Sequence, residues 1–155
     1  YPNKTFHPNE NITREGFVKL IVSAFGIGEE NSECSFEDIS KDDWSYPYVA
    51  RALKSGIVNG VSENTFGKGK NLTRQDMAVI TNRVIKLKNI RLASYNTEIN
   101  YTDAADIAEY AAEPISELQK AGLISGTGDR IFEPHAYATR AMVSKLICDV
   151  MHCIE

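Results

Sequence analysis

The sequence predicts a mainly α protein built from repeated helix–turn–helix units with short extended segments in the turns. Three observations carry that prediction. Thr-Arg occurs at 13–14, 73–74 and 139–140, at intervals of 60 and 66 residues, and self-similarity on this scale marks a repeat architecture. An apolar helical pattern follows each pair. A glycine-bounded apolar turn precedes two of them.

The elements follow in order. Thr13 stands where an N-cap belongs, and Phe17, Leu20, Ile21 and Ala24 fall at helical spacing. Segment 28–35, Gly-Glu-Glu-Asn-Ser-Glu-Cys-Ser, reads as a linker. The next unit opens with Phe36-Glu37-Asp38-Ile39 and Asp43-Trp44. A helix through Tyr48-Val49-Ala50-Arg51-Ala52-Leu53 follows, with Pro47 near its start and Gly56 at its end. The turn Gly56-Ile57-Val58-Asn59-Gly60 leads to Phe66, and Thr73 caps a helix carrying Met77, Ile80, Val84 and Leu87. Asp76 adds a capping-box-like acid in this copy alone.

After a linker-like stretch at 91–100, Tyr101-Thr102-Asp103, Tyr110, Ile115-Ser116-Glu117-Leu118 and Gly122-Leu123-Ile124-Ser125-Gly126 repeat the unit. Pro114 leaves the start of this helix open. Phe132, Thr139 and then Val143, Leu146, Ile147 and Val150 complete it. Phe6, Phe66 and Phe132 each precede a Thr-Arg pair by seven or eight residues. The expected organisation is a partial first repeat (1–30), a second (31–92) and a third (93–155). A single two-helix unit can hardly bury its own apolar face, so they should form one packed module.

Composition narrows the function. The 155 residues are 43% hydrophobic and 25% charged, ordinary for a globular chain. The net charge of −4 argues against nucleic acid, and no apolar run is long enough for membrane insertion. No signal peptide opens the chain, and three cysteines cannot close a disulfide framework. Cys148, His152 and Cys153 cluster, but a zinc site needs more ligands. We expect no metal and no cofactor. His7 and His135 occupy corresponding loops and are expected to be solvated. No GxSxG or Walker-type loop is present, so the reading is not an enzyme. The sequons Asn11-Ile12-Thr13 and Asn71-Leu72-Thr73 overlap the caps, which explain their residues.

Arg14, Arg74 and Arg140 each occupy a first helical turn, where the helix dipole disfavours a cation by ~0.3–1 kcal/mol. Something must offset that cost three times. One reading is a structural salt bridge, or a stem packed over the neighbouring turn. The other is an anion site, in which guanidinium and helix-start N–H groups converge on a carboxylate or phosphate. Trp44, with Tyr110 in its place in the last unit, suits the core. Following Asp42-Asp43, it also suits stacking on a sugar ring. Asp38 and Asp103 precede their helices as caps, or bind a ligand hydroxyl.

In these motifs the chain resembles the S-layer homology domain. The resemblance rests on Phe36-Glu37-Asp38-Ile39, Asp43-Trp44, Tyr48-Val49-Ala50, Gly56–Gly60, Thr65-Phe66 and Leu72-Thr73-Arg74. In the last unit it rests on Tyr101-Thr102-Asp103, Ala121–Gly126, Phe132-Glu133-Pro134 and Ala138-Thr139-Arg140. Residues 1–8 and Ile12-Thr13-Arg14-Glu15 fit the second half of a first repeat. It covers nearly the whole chain, although the pattern Thr-Arg-Ala-Glu has become Thr-Arg-Glu-Gly, Thr-Arg-Gln-Asp and Thr-Arg-Ala-Met.

The resemblance implies a pseudo-threefold module that holds an exported bacterial protein non-covalently at the cell wall, outside the cell. Its implied partner is a secondary cell-wall polysaccharide carrying a pyruvate ketal, bound in grooves between repeats. The positions carried over are Arg14, Arg74, Arg140, Trp44 and Tyr110, with unequal grooves expected. The alternative is a structural or assembly module of a surface layer that pairs with protein. The half unit also predicts an apolar seam covered by a second copy, a homo-oligomer, or else a longer protein.

Overall fold

In the computed structural model, which describes residues 5–94 and 100–154, five α-helices follow one another among the described residues. They are α1 (Arg14–Phe25), α2 (Tyr46–Lys54), α3 (Arg74–Leu87), α4 (Glu109–Lys120) and α5 (Arg140–His152), with a 3-10 turn at Ala104–Asp106. Each Thr of the repeated pair is an extended N-cap. The Thr13, Thr73 and Thr139 hydroxyls accept from the amides of Gly16, Asp76 and Met142 at 3.2, 3.2 and 3.3 Å, each cap contributing about 1 kcal/mol. Gly56 and Gly122 follow α2 and α4 with φ of +71° and +72°, the left-handed conformation that ends a helix cheaply only with glycine. Pro114 lies inside α4. The helix thus begins before its proline and loses one backbone bond there.

The segments just before the caps meet on an axis. Ile12 N–H donates to Ala138 O, Ala138 N–H to Leu72 O, and Leu72 N–H to Ile12 O, at 3.0, 2.8 and 2.9 Å. A second cycle surrounds the first. The amides of Arg14, Arg74 and Arg140 donate to Lys70, Ala136 and Glu10 carbonyls at 2.9, 2.8 and 2.9 Å. These closed cycles are the pseudo-threefold. The extended pieces are single bridges, Asn11 with Thr139, Thr13 with Asn71 and Thr73 with Tyr137, because segments around a closed axis cross each neighbour once. Ile12, Leu72 and Ala138 are buried there.

Packing pairs helices across repeats. α2 lies chiefly on α1, and α4 on α3, so each unit's first helix covers the preceding unit's second. This rotates the buried face of α1 away from its expected position. Phe17, Val18, Ile21, Val22 and Phe25 are buried, whereas Leu20 and Ala24 face outward. In α3, burial extends from Met77 through Asn82 and on to Val84 and Ile85. In α5 only Val143, Leu146 and Val150 are buried. The side that pairs with a helix in α1 and α3 is, in α5, Ser144, Cys148 and Met151, all exposed. Phe66 and Phe132 are core residues, stacked at a tilt on Phe36 and Tyr101 at 5.8 and 5.3 Å. Phe6 is half exposed.

Candidate functional site

The three arginines reach from one repeat into the next. Arg14 Nε donates to Phe66 O at 3.1 Å and an outer nitrogen to Asn59 O at 3.3 Å. Arg74 repeats this on Phe132 O and Ser125 O at 2.9 and 3.0 Å. Arg140 Nε donates to Phe6 O at 2.8 Å. Each guanidinium lies over the phenylalanine whose carbonyl it takes, 5.2, 4.9 and 5.2 Å from the ring centre. Carbonyl acceptors and cation–π contact together offset the dipole cost. Arg14 and Arg74 are only 7% and 6% exposed, and Arg140 is half-buried. The arginines therefore tie the repeats together, and their outer nitrogens line clefts.

The helix-start amides have a different fate from the one expected of an anion site. In α3 the first three amides donate to Ala136 O, Pro134 O and the Thr73 hydroxyl; in α5 they donate to Glu10 O, Pro8 O and the Thr139 hydroxyl. The neighbouring repeat consumes the first two and the helix's own threonine the third. Charge recognition is left to the side chains.

Asp38 and Asp103 cap no helix. Asp38 accepts the Phe66, Gly67 and Lys68 amides at 2.7, 2.7 and 2.8 Å. Asp103 accepts those of Phe132 and Glu133 at 2.8 and 2.7 Å. Burial opposes ionisation of both, but these amides outweigh it and hold each carboxyl below the usual range. Each aspartate thereby presents the phenylalanine carbonyl that Arg14 or Arg74 takes.

Asp76 likewise makes no capping box. Its carboxylate pairs with Arg14 at 3.1 Å and accepts the Tyr110 hydroxyl at 2.9 Å. Desolvation of that hydroxyl, then the Asp76 charge, pushes the Tyr110 pKa up to about 12, so it remains a donor. The rings of Trp44 and Tyr110 are 55% and 56% exposed, placing neither in the core. The Lys19 ammonium lies over Trp44 and Tyr48 at 5.3 and 5.5 Å.

Three clefts result. One joins Arg140, Gly16, Lys19, Leu20 and Trp44. A second joins Arg14, Asn59, Gly60, Asp76, Arg83 and Tyr110. The third joins Arg74, Ser125, Met77, Met142, Lys145 and Leu146. Arg14, Arg74, Arg140, Trp44 and Tyr110 line these clefts, whereas Asp38 and Asp103 line none of them and hold the turns at Phe66–Lys68 and Phe132–Glu133. Asp76, Lys19 and Lys145 escaped sequence reasoning, because helical spacing alone does not say which repeat a side chain will face. Cys148 Sγ lies 3.9 Å from His152 Nδ1, while Cys153 Sγ is turned to Asp149 O at 3.4 Å.

A sequence model of the S-layer homology domain matches residues 1–17, 35–78 and 100–141. The chain is 28% identical over 148 residues to the S-layer protein EA1 of Bacillus anthracis, covering 94% of this chain and 16% of that protein. It is 28% identical over 152 residues to the cellulosome-anchoring protein of Acetivibrio thermocellus, covering 95% and 33%. To an endoglucanase of Bacillus sp. (strain KSM-635) it is 25% identical over 147 residues, covering 95% and 15%. The chain thus spans a third of these relatives' length at most. What it shares with a surface-layer protein, an anchoring protein and an enzyme alike is the repeated segment. With its matched repeats closed about one axis by the Thr-Arg caps, the chain belongs to the S-layer homology domain family, a module of bacterial cell-surface proteins.

Proposed function

We propose that this chain anchors the protein that carries it to the bacterial cell wall by binding secondary cell-wall polysaccharide in the clefts between repeats. The observation that carries the reading is the recurrence of one arrangement: an arginine from one repeat, the second helix of the next, and, in two clefts, an exposed aromatic from the repeat beyond. Trp44 and Tyr110 offer an open ring face to a sugar, and Arg14, Arg74 and Arg140 supply positive charge for an acidic substituent, a pyruvate ketal. Asp38 and Asp103 act behind them by fixing the turns. The names of the anchoring and surface-layer relatives support the same role. The action is binding, with no bond made or broken.

The test is co-sedimentation with purified bacterial cell walls before and after chemical removal of their polysaccharide. Binding that disappears with the polysaccharide is the expected result; binding that survives its removal refutes the reading. A second reading, assembly with another protein, draws on the exposed side of α5 at Ser144, Cys148 and Met151. Association in sedimentation velocity without any wall binding would favour it.

A further inference from the structure

We propose that Asn59 is a modification site: in the folded chain its carboxamide is lost to the neighbouring Gly60 nitrogen, and the residue converts to isoaspartate. The co-reactant is water.

Three observations converge on this peptide. Asn59-Gly60 is the one Asn-Gly pair in the sequence, and glycine, having no Cβ, leaves the approach to its nitrogen open. Neither the Gly60 N–H nor the Asn59 carboxamide has a hydrogen-bond partner among the described residues, and Asn59 is exposed. The oxygen of the same peptide unit, Asn59 O, accepts from an outer nitrogen of Arg14 at 3.3 Å. Arg14 is nearly buried, and its other outer nitrogen, paired with Asp76, fixes it there. A cation so placed stabilises negative charge on the oxygen it touches. It therefore favours the ionised peptide, whose charge is shared between that oxygen and the Gly60 nitrogen.

The other described asparagines lack this combination. The amides after Asn9, Asn11, Asn31, Asn64, Asn71 and Asn89 all donate to main-chain carbonyls. Asn82 lies inside α3 with its carboxamide on Glu117, and Asn100 precedes a tyrosine, whose side chain crowds the nitrogen. In the third repeat Arg74 holds the equivalent oxygen, Ser125 O, at 3.0 Å, but a serine has no carboxamide to lose.

Hydroxide takes the Gly60 amide proton. The nitrogen attacks the Asn59 Cγ and closes a succinimide ring; the carboxamide C–N bond breaks, and ammonia leaves with a proton. Water then adds to the ring carbonyl whose oxygen Arg14 holds. The bond from that carbon to the Gly60 nitrogen breaks, the nitrogen stays bonded to Cγ, and the former main-chain carbonyl becomes a carboxylate facing Arg14. One water is consumed, one ammonia is released, and nothing is oxidised or reduced. The main chain now runs through the Asn59 Cβ and Cγ and is longer by an atom. The turn has no slack for it, since a Cβ on Gly60 would stand 2.2 Å from Ser62 O and 2.5 Å from Thr65 O. Conversion thus strains the turn through which Arg14 ties the first repeat to the second.

The experiment incubates the whole folded chain in neutral buffer and reads ammonia loss at each asparagine by peptide mapping and mass spectrometry. Isoaspartate is read by enzymatic methylation. Asn59 should convert before every other described asparagine, and mainly to isoaspartate. Asn59→Ser should hold its melting temperature through the incubation while that of the native chain falls. Two variants isolate the geometry. Ser125→Asn sets a second Asn-Gly pair on the oxygen that Arg74 holds and should convert as the first does. Lys68→Asn sets one at Gly69, whose amide is held by the Glu15 carboxylate at 3.1 Å, and should convert at least about tenfold more slowly.

An Asn59 that outlasts other asparagines in the folded chain, or that converts only once the chain is unfolded in urea, overturns the proposal. So does a Lys68→Asn pair that converts as fast as Asn59, since the sequence alone would then set the rate. Far-UV circular dichroism checks that each variant is folded. Should Ser125→Asn fail to fold, the native chain and Lys68→Asn decide the question between them.

Discussion

Replacing Asp38 with alanine should destabilise the chain more than replacing Asp103, and the difference can be worked from the turn. Asp38 holds three backbone amides and Asp103 two, all between 2.7 and 2.8 Å. A hydrogen bond to a charged group contributes ~1.5–3 kcal/mol. Both aspartates are half-buried, and water can replace part of what is lost, so roughly 1 kcal/mol per amide is the appropriate figure. Asp38→Ala should then cost about 3 kcal/mol and Asp103→Ala about 2 kcal/mol. Both carboxyls are held below their ordinary pKa, so their contribution is complete above the unfolded value of about 3.9. It is lost as pH falls through the lower folded value. Urea denaturation followed by far-UV circular dichroism, from pH 7 down to pH 2, measures both effects. The gap between native chain and Asp38→Ala should stay constant above about pH 5 and close towards pH 2. A gap independent of pH, or an Asp103→Ala cost equal to or larger than that of Asp38→Ala, would refute the reasoning.

Other substitutions test the frame and the rim separately. Gly60→Ala should destabilise by more than about 2 kcal/mol in thermal melts, because its Cβ would stand 2.2 Å from Ser62 O and 2.5 Å from Thr65 O. Gly69→Ala, at φ +77° with nothing within 4 Å, should cost only about 1 kcal/mol. Arg74→Lys keeps the charge but cannot span Phe132 O and Ser125 O together. It should lower stability by about 1–3 kcal/mol in urea titration, and an unchanged midpoint would show that the carbonyl ties contribute nothing. Trp44→Ala should leave the melting temperature within a degree or two, since the ring is 55% exposed, while reducing wall co-sedimentation severalfold.

Much of the frame is legible in the sequence because its causes are local. A threonine before an apolar period caps a helix through its own third amide, and a glycine after a helix takes the left-handed conformation unaided. Both rules place Thr13, Thr73, Thr139, Gly56 and Gly122 correctly without reference to anything distant. The recurrence of Thr-Arg likewise announced three equivalent helix starts, and the need to offset the dipole cost pointed to a common partner for the arginines.

What that partner is, only the tertiary structure decided. Arg14 closes on Phe66, Asn59 and Asp76, residues 45 to 62 positions away, and Asp76 abandons its capping box to meet it. The buried face of α1 excludes Leu20 and Ala24 because the helix that covers α1 belongs to the next repeat. The helix-start amides, legible as an anion trap, are spent on the neighbouring repeat's carbonyls and on the capping threonines. A sequence period specifies which residues share a helix face and which caps recur. Which neighbour lies against that face depends on how the repeats close about their axis, and that closure turns three similar motifs into three chemically different clefts.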